Sequence, residues 1–302
     1  MMTNVYLTVD IGATKAAIAT VDDQLKILNR VETATGGNSK IWSDIEAATL
    51  KLIAGERNTI KGVGIGSAGP INLKSGSVSP VNIESWRNFP IVENFSKLLD
   101  TQNVHLCGDA IALALAESKV GAGKNKASFL GMVVSTGIGG GLVIDGKIHH
   151  GKTGNAGYFG HHSISFNSDI CVCGRTGCVE LYASGPKMVE NALTLGWSSA
   201  ITSFESLASD ARSGNQIAIQ AIDNGAKALA VGIVNVLSIL DINTVIIGGG
   251  VSKAGPIYWN RLNQHVQNET KYFSFLQEVE LLSSNLNIDA GLIGAAILAM
   301  EG

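Results

Sequence analysis

The hydrophobic positions of the chain fall into short runs that end at glycine or at a polar turn. Near the N-terminus three such runs follow one another, and they read VYLTVD (5–10), AAIATV (16–21) and KILNRVET (26–33). The turns IGATK and DDQ separate them. Short runs of β-forming residues bounded by glycine and polar residues are typical of strands, so we predict three strands here.

Longer segments show the pattern of helices. Residues 43–55 predict a helix with Ser43 as its N-cap and Gly55 as its C-cap. The segment HLCGDAIALALAESKVGAG predicts a strand that turns into a helix near Asp109, and the glycines after it end that helix. Further helices are predicted over 186–195, 204–211, 215–240 and 290–300.

The second half of the chain repeats the plan of the first. LTVDIGATKAAIA (7–19) and MVVSTGIGGGLVI (132–144) both read as a strand, a glycine turn and a strand. Asp145-Gly146 predicts the next tight turn, and NTVIIGGG predicts a strand that ends in three glycines. The two similar segments are either two ordinary hairpins or a pair of backbone N–H cradles that hold nucleotide phosphates across a cleft.

The composition bounds the class of protein. With 302 residues, of which 45% are hydrophobic and 16% are charged, the chain can bury the core of two ordinary domains or of one large α/β unit. A net charge of −3 and no long basic run argue against nucleic-acid binding. The N-terminus lacks the pattern of a secretory signal, and the most apolar window, 228–240, is too short to span a bilayer. We therefore expect a cytoplasmic protein with neither nucleic acid nor a membrane as a partner.

Three glycine-rich turns have the residues that a nucleotide site needs. The first turn is residues 10–15, DIGATK. Its glycine lets the backbone approach a phosphate, and Thr14 adds a hydroxyl donor. Lys15 can neutralise phosphate charge, and Asp10 can hold a hydrated Mg²⁺. The turns 136–141 and 248–250 contain more glycine than a simple turn requires. We predict nucleotide contacts at Asp10, Gly12, Thr14, Lys15, Thr136, Gly137, Gly139, Gly249 and Gly250.

Asp109 lies between a predicted strand and a predicted helix, and two interpretations fit this position. As an N-cap it would accept a hydrogen bond from the first turn of the helix. As a general base it would stand at the carboxyl end of a strand, where the clefts of α/β proteins form. One residue can do both.

Three of the four cysteines lie within eight residues, at Cys171, Cys173 and Cys178, and His161 precedes them. Three thiolates and one imidazole with short spacings and glycines between them are the ligand set of a tetrahedral zinc site. The alternatives are free thiols or a disulfide, and a cytoplasmic redox poise disfavours the disulfide. Since all four positions would come from protein, we predict a structural zinc.

Taken together and in order, these motifs resemble the ROK family of repressors, open reading frames and sugar kinases. The resemblance extends over nearly the whole chain, and the cysteine segment is its most specific part. The matching segments are Asp10–Lys15, Gly66–Pro70, Gly108-Asp109, Ser135–Gly141, Gly154–His161 and Cys171–Glu180.

The resemblance implies an α/β fold of the actin-like ATPase (ribonuclease H-like) type, with two lobes around a nucleotide and sugar cleft. The lobes would be residues 1–118, with a C-terminal helix at 289–302 returning to them, and residues 119–288 with the zinc loop. The cleft would bind ATP with Mg²⁺ and a hexose, and family members suggest a homodimer or homotetramer.

By the same resemblance, Asp109 is the base that takes the proton of the sugar's C6 hydroxyl. His161 would join two roles, with one ring nitrogen on zinc and the other directed to a sugar hydroxyl. The implied sugar contacts are Gly69, Asn82, Asp109, Tyr158, His161 and Glu180.

Two departures from the family pattern bear on the sugar. Gly108 stands where sugar kinases usually have Asn, and Tyr158 stands where they usually have Glu. Both changes remove polar contacts to hydroxyls, while an aromatic at 158 can pack on an acetamido group or a sugar face. The segment CVCGRTGCVELYASG is similar to that of bacterial N-acetylmannosamine kinases, so we favour this sugar, with glucose as the alternative. A non-catalytic sugar-sensing regulator is the third possibility, which the presence of Asp109 and Lys15 disfavours.

Overall fold

Each half of the chain builds one five-stranded mixed β-sheet, and the first half adds a separate two-stranded sheet. The computed structural model describes residues 4–37, 40–55, 59–286 and 289–302. The strands of the first half are β1 (Val5–Ile11), β2 (Lys15–Asp22), β3 (Ile27–Ala34), β4 (Ile60–Ser67), β5 (Ile71–Asn72), β6 (Ser77–Val78) and β7 (Val104–Gly108). One sheet has the order β3-β2-β1-β4-β7, with β1 antiparallel to β2 and parallel to β4. The three predicted N-terminal strands are confirmed.

The second half repeats this topology. Its strands are β8 (Phe129–Val134), β9 (Ile138–Ile144), β10 (Lys147–His149), β11 (Thr244–Gly248) and β12 (Glu280–Ser283), and the sheet order is β10-β9-β8-β11-β12. As in the first sheet, a hairpin pair is extended by parallel strands, with β8 antiparallel to β9 and parallel to β11. The sequence similarity between 7–19 and 132–144 thus corresponds to two equivalent hairpins, β1-β2 and β8-β9. The predicted turn at Asp145-Gly146 is confirmed by positive φ angles of 50° and 74°.

The helices lie in the connections between strands, except the last one, which follows the final strand. They are α1 (Ile41–Leu52), α2 (Ile91–Leu99), α3 (Asp109–Val120), α4 (Glu180–Ala183), α5 (Gly185–Thr194), α6 (Phe204–Arg212), α7 (Gln216–Leu240), α8 (Pro256–Thr270) and α9 (Ala290–Glu301). The predicted caps of the first helix were wrong. It begins after Lys40 and ends at the C-cap Ile53. The Ser43 hydroxyl donates back to the Lys40 carbonyl at 2.9 Å inside the first turn, so it does not accept the N–H bond of an N-cap.

Helix α9 packs against β1, β4 and α3, so the end of the chain joins the first sheet. Glycine makes this contact close. A Cβ on Gly294 would lie 1.8 Å from the Ala112 carbonyl oxygen, and a Cβ on Gly64 would lie 1.8 Å from that of Ala295. Any side chain at either glycine would overlap the neighbouring backbone, so these positions set the separation of α9 from α3 and β4.

Helix α7 forms the centre of the second half. It has 25 residues and therefore extends beyond the apolar window at 228–240. By length and composition, such a helix could cross a membrane. Of its most apolar stretch, 56% is buried inside the protein, and residues such as Ile222, Leu229 and Ile233 belong to the main hydrophobic core. This burial is typical of a core helix, and it follows from the small and aliphatic residues that face α4, α5, α6 and α8.

Candidate functional site

A cleft of about 590 Å³ lies between the two sheets. The strand ends of both halves border it, because β1, β4 and β7 of the first sheet and β8 and β11 of the second end at its walls. Every residue predicted to act in catalysis, nucleotide contact or sugar contact lines this cleft: Asp10, Gly12, Thr14, Lys15, Gly69, Asn82, Asp109, Thr136, Gly137, Gly139, Tyr158, His161, Glu180, Gly249 and Gly250. The fold thus brings together motifs that lie up to 240 residues apart.

Asp109 is the first residue of α3, directly after the end of β7. The N-cap prediction was wrong, since Gly108 with its extended backbone is the N-cap and Asp109 already belongs to the helix. Its Oδ1 accepts the N–H of Ala110 at 2.7 Å. Burial raises the pKa of the Asp109 carboxyl and the Glu180 charge adds to this, while hydrogen bonds from backbone N–H groups oppose it. A carboxyl with a raised pKa is a stronger base than one in water.

Asp10 lies near the end of β1 on the same wall. Burial, helped by the nearby Asp109 charge, raises the pKa of Asp10 to about 7, although Lys15 and Arg30 counteract part of the effect. Gly291, at the start of α9, leaves room for it, since a Cβ there would lie 2.3 Å from Asp10 Oδ2. Two partly buried carboxylates side by side are a site that favours a cation.

The first glycine turn closes by a hydrogen bond from the Gly12 N–H to the Lys15 carbonyl oxygen at 2.9 Å. The Lys15 ammonium pairs with Glu32 Oε1 at 2.7 Å, and it is half exposed at the cleft. In the third turn, Gly249 has φ +95°, and a Cβ there would lie 2.3 Å from the Val134 carbonyl oxygen. Only glycine fits this backbone, which leaves the second wall of the cleft without side chains at that point.

Glu180, at the start of α4, holds two parts of the site together. Its Oε2 accepts the N–H of Ile138 at 2.7 Å, within the second glycine turn. Its Oε1 lies 4.0 Å from His161 Nε2. The carboxylate therefore fixes the glycine turn with one oxygen and faces the imidazole with the other.

Tyr158 presents its ring to the cleft. The ring centroid lies 4.8 Å from that of His161 with the planes tilted by 35°, and 40% of the residue is exposed. On the opposite wall, a Cβ at Gly69 would lie 3.4 Å from Tyr158 Cε2, so the ring meets bare backbone there. Burial is the main cause that raises the pKa of the Tyr158 hydroxyl to about 12, which keeps it a neutral hydrogen-bond donor.

The predicted metal ligands converge. One ligand atom from each of His161, Cys171, Cys173 and Cys178 lies within 4.8 Å of the others. The Cys171 sulfur is 3.5 Å from His161 Nδ1, and the Cys173 and Cys178 sulfurs are 3.6 Å apart. Around zinc, tetrahedral geometry places two sulfurs about 3.8 Å apart and a sulfur and a nitrogen about 3.5 Å apart. The cluster is therefore compatible with a structural zinc.

Among the cleft residues that the sequence analysis did not name are Arg30 and Asn155. Arg30 on β3 pairs with Glu32 and lies 3.6 Å from Asp289 Oδ1. Asn155 hydrogen-bonds both backbone groups of Ile71 at 2.8 Å. Arg30 lies outside the motifs, whereas Asn155 lies between two glycines of the Gly154–His161 segment, at a position that the motif leaves open.

Comparison with known proteins decides the family. The model of the ROK family matches residues 6–301. The chain belongs to the ROK family.

The curated relatives of this ROK protein cover nearly its full length. A glucokinase of Thermotoga maritima is 33% identical over 310 residues, 97% of this chain and 96% of that protein. An N-acetylmannosamine kinase of Citrobacter koseri is 34% identical over 297 residues, 97% of this chain and 98% of that protein.

The solved structure of a ROK family glucokinase from Streptomyces griseus, in complex with glucose and AMPPNP, superposes with a TM-score of 0.85. It is 29% identical, and the match covers 99% of this chain and 100% of that chain. The predicted fold class, an α/β protein of the actin-like ATPase type with a sheet in each half, is confirmed.

Proposed function

We propose that this ROK protein is an ATP-dependent sugar kinase that transfers the γ-phosphoryl group of ATP to the C6 hydroxyl of a hexose or N-acylhexosamine. The observation that carries the proposal is the shared cleft, in which Asp109 and Glu180 face the same space as the glycine turns. Relatives named glucokinase and N-acetylmannosamine kinase support this activity. Phosphoryl transfer depends mainly on positioning and charge neutralisation, and such a cleft supplies both.

In the proposed reaction, the carboxylate of Asp109 accepts the proton of the C6 hydroxyl. The C6 oxygen then forms a bond to the γ-phosphorus as the bond from that phosphorus to the β,γ-bridging oxygen breaks. ADP leaves with the electron pair of the broken bond, and the proton stays on Asp109 until solvent removes it. The raised pKa of Asp109 suits this role, because the carboxyl holds the transferred proton more firmly.

The nucleotide would lie along the glycine turns of both walls, which the positions Gly12, Gly137, Gly139, Gly249 and Gly250 keep free of side chains. Thr14 and Thr136 would add hydroxyl donors, and Lys15 would turn from Glu32 toward the phosphates. Mg²⁺ would supply charge neutralisation on the phosphates. Asp10 is the residue that would hold its water shell, since a bound cation favours the ionised form of this desolvated carboxyl.

The cysteine cluster would hold a structural Zn²⁺ on His161, Cys171, Cys173 and Cys178. The sulfur and nitrogen separations and the donor set support this assignment. With Nδ1 directed to the cluster, His161 keeps Nε2 toward Glu180 and the cleft. The metal would thus fix the orientation of a residue that contacts the sugar.

Among sugars, we favour N-acetylmannosamine, with glucose as the alternative. The sugar would contact Gly69, Asn82, Asp109, Tyr158, His161 and Glu180, and the Tyr158 ring offers an apolar face to an acetamido group or to a sugar ring. A homodimer or homotetramer in the cytoplasm remains our expectation for the assembled enzyme, and a non-catalytic sugar-sensing protein is the less favoured reading.

The deciding experiment is a coupled assay of ADP release with glucose, mannose, N-acetylglucosamine and N-acetylmannosamine at saturating ATP and Mg²⁺. We expect at least one sugar to raise turnover a hundredfold or more above the ATPase background. If no sugar raises it, the kinase proposal fails. Mass spectrometry of the product after periodate cleavage distinguishes phosphorylation at C6 from that at other hydroxyls.

A further inference from the structure

The side chain of Asn155, which lines the cleft, bonds to Ile71 of the other half of the chain, although the proposed chemistry does not use it. Its Oδ1 accepts the N–H of Ile71 at 2.8 Å, and its Nδ2 donates to the carbonyl oxygen of the same residue at 2.8 Å. The same Nδ2 lies 3.1 Å from Thr153 Oγ1. A side-chain amide therefore pairs with both backbone groups of one residue, as a neighbouring strand would.

The two partners belong to different halves of the protein. Ile71 begins β5, four residues after β4 of the first sheet ends. Asn155 follows β10 of the second sheet and lies 84 residues further along the chain. Ile71 lies two positions after the cleft residue Gly69, so the pair of hydrogen bonds joins the two halves of the chain beside the cleft.

Close packing surrounds this pair. Gly154 has φ +92°, and a Cβ there would lie 2.6 Å from Leu73 Cγ, so only glycine lets the two segments approach. On the other side, a Cβ at Gly69 would lie 3.5 Å from Asn155 Oδ1 and 3.4 Å from Tyr158 Cε2. The segments 69–73 and 154–158 thus contact each other along their length.

We propose that Asn155 is a positioning residue that holds the sugar end of the cleft at one separation. Two hydrogen bonds to a single residue fix both distance and orientation, so the halves cannot rotate apart here without losing both bonds at once. The wall residues whose separation this fixes are Gly69 and Tyr158. The inference rests on the proposed function, because it takes the ligand between these residues to be the sugar.

The test compares Asn155→Ala and Asn155→Asp with Thr153→Ala as the matched control. Asp keeps the acceptor for the Ile71 N–H but loses the donor to the Ile71 carbonyl oxygen. Thr153→Ala removes the hydroxyl next to the Asn155 side-chain amide and leaves both bonds to Ile71 in place. Hydrogen exchange of the peptide that covers residues 69–73 is measured in the full chain, with and without 10 mM of the best sugar substrate. Steady-state kinetics give KM for the sugar, KM for ATP and kcat.

For Asn155→Ala we expect the Ile71 amide to exchange about tenfold faster or more, since its acceptor is gone. The sugar KM should rise about tenfold, while the ATP KM and the melting temperature stay close to those of the native enzyme. Asn155→Asp should keep slow exchange at Ile71 but raise the sugar KM, and Thr153→Ala should change each quantity less than twofold.

Unchanged exchange at Ile71 in Asn155→Ala would overturn the connection between the walls, whether or not the protein phosphorylates a sugar. Faster exchange with an unchanged sugar KM would overturn the positioning role. An equal rise in the sugar and ATP KM together with a large loss of melting temperature would also overturn it, because the residue would then act only in stability. If the native enzyme shows no sugar-dependent turnover, the kinase proposal fails and the positioning role with it, while the exchange experiment still decides the connection.

Discussion

The Nε2 atom of His161 lies 4.0 Å from Oε1 of Glu180. The other nitrogen of the same ring lies 3.5 Å from the Cys171 sulfur, and the other oxygen of Glu180 accepts the Ile138 N–H. A continuous path of contacts therefore runs from the cysteine cluster through the imidazole and the carboxylate to the second glycine turn. The cluster and the cleft are thus mechanically connected.

Loss of one cysteine ligand should disturb the cleft as well as the loop. Cys173→Ser is expected to lower the zinc content from about one ion per chain to near zero and to raise the sugar KM at least tenfold, because His161 loses its fixed orientation. Atomic absorption on protein purified without chelator gives the zinc content, and kinetics give KM. Cys107→Ala, at a buried cysteine outside the cluster, is the control and should retain the metal. Absence of zinc from the native protein would refute the metal assignment.

Asp109→Asn should reduce kcat by about a thousandfold or more, because the amide cannot accept the C6 proton. The fold should persist, since Asn can keep the hydrogen bond from the Ala110 N–H. Calorimetry gives the melting temperature and the sugar-binding constant of the native enzyme and of the variant. Equal values would show that the loss of kcat comes from the chemical step and not from unfolding or weaker sugar binding. Near-normal turnover of the variant would remove Asp109 as the base.

On acidification, the activity should be lost at a higher pH than it would be if Asp109 had the pKa of an ordinary aspartate. Burial raises the pKa of Asp109, and the base is lost as its carboxylate becomes protonated. Turnover therefore decreases as pH falls through the raised pKa, which lies above the unperturbed value of about 3.9. A profile of kcat/KM between pH 4 and 9 checks this, with a flat profile above pH 4.5 as the contrary result.

Asp10→Asn should stabilise the ligand-free protein above neutral pH. The pKa of Asp10 is about 7 in the folded protein and about 4 in an unfolded chain. The protonated carboxyl therefore contributes its full stabilisation below about pH 4, and this stabilisation is lost as pH rises through 7. Removal of the charge should therefore raise the free energy of unfolding by ~1–3 kcal/mol more at pH 8 than at pH 4, while activity is lost. Urea denaturation at both values of pH measures the difference. Asp145→Asn, at an exposed turn, is the control, and an equal change in both variants would contradict the prediction.

Gly294→Ala should destabilise the protein by ~2 kcal/mol or more, because the new Cβ would lie 1.8 Å from the Ala112 carbonyl oxygen. Gly55→Ala makes the same chemical change where nothing lies within 4 Å, so it should alter stability little. Thermal unfolding of the two variants and the native protein supplies the comparison. Equal melting temperatures for both variants would show that α9 can shift away from α3 at no cost.

The elements that could be predicted from the sequence are those with strong local patterns. The strands of the two hairpins alternate with glycine turns, and the pattern around Asp109 marks the junction of β7 and α3. Helices α2 and α8 were not predicted. α8 reads PIYWNRLNQHVQNET, in which Asn, Tyr and Trp are weak helix formers, and its burial against α7 stabilises it instead.

The sequence by itself determined which residue types line the cleft, because nucleotide turns, a strand-end aspartate and a cysteine cluster are motifs of a few neighbouring residues. Only the tertiary structure decided the pairings that make the site work. Glu180 meets Ile138 across 42 residues, and Asn155 meets Ile71 across 84. The raised pKa of Asp10 likewise depends on burial and on Asp109, which is 99 residues away in the chain. Hydrogen bonds and electrostatic interactions depend on distance in space, and no local pattern encodes that distance.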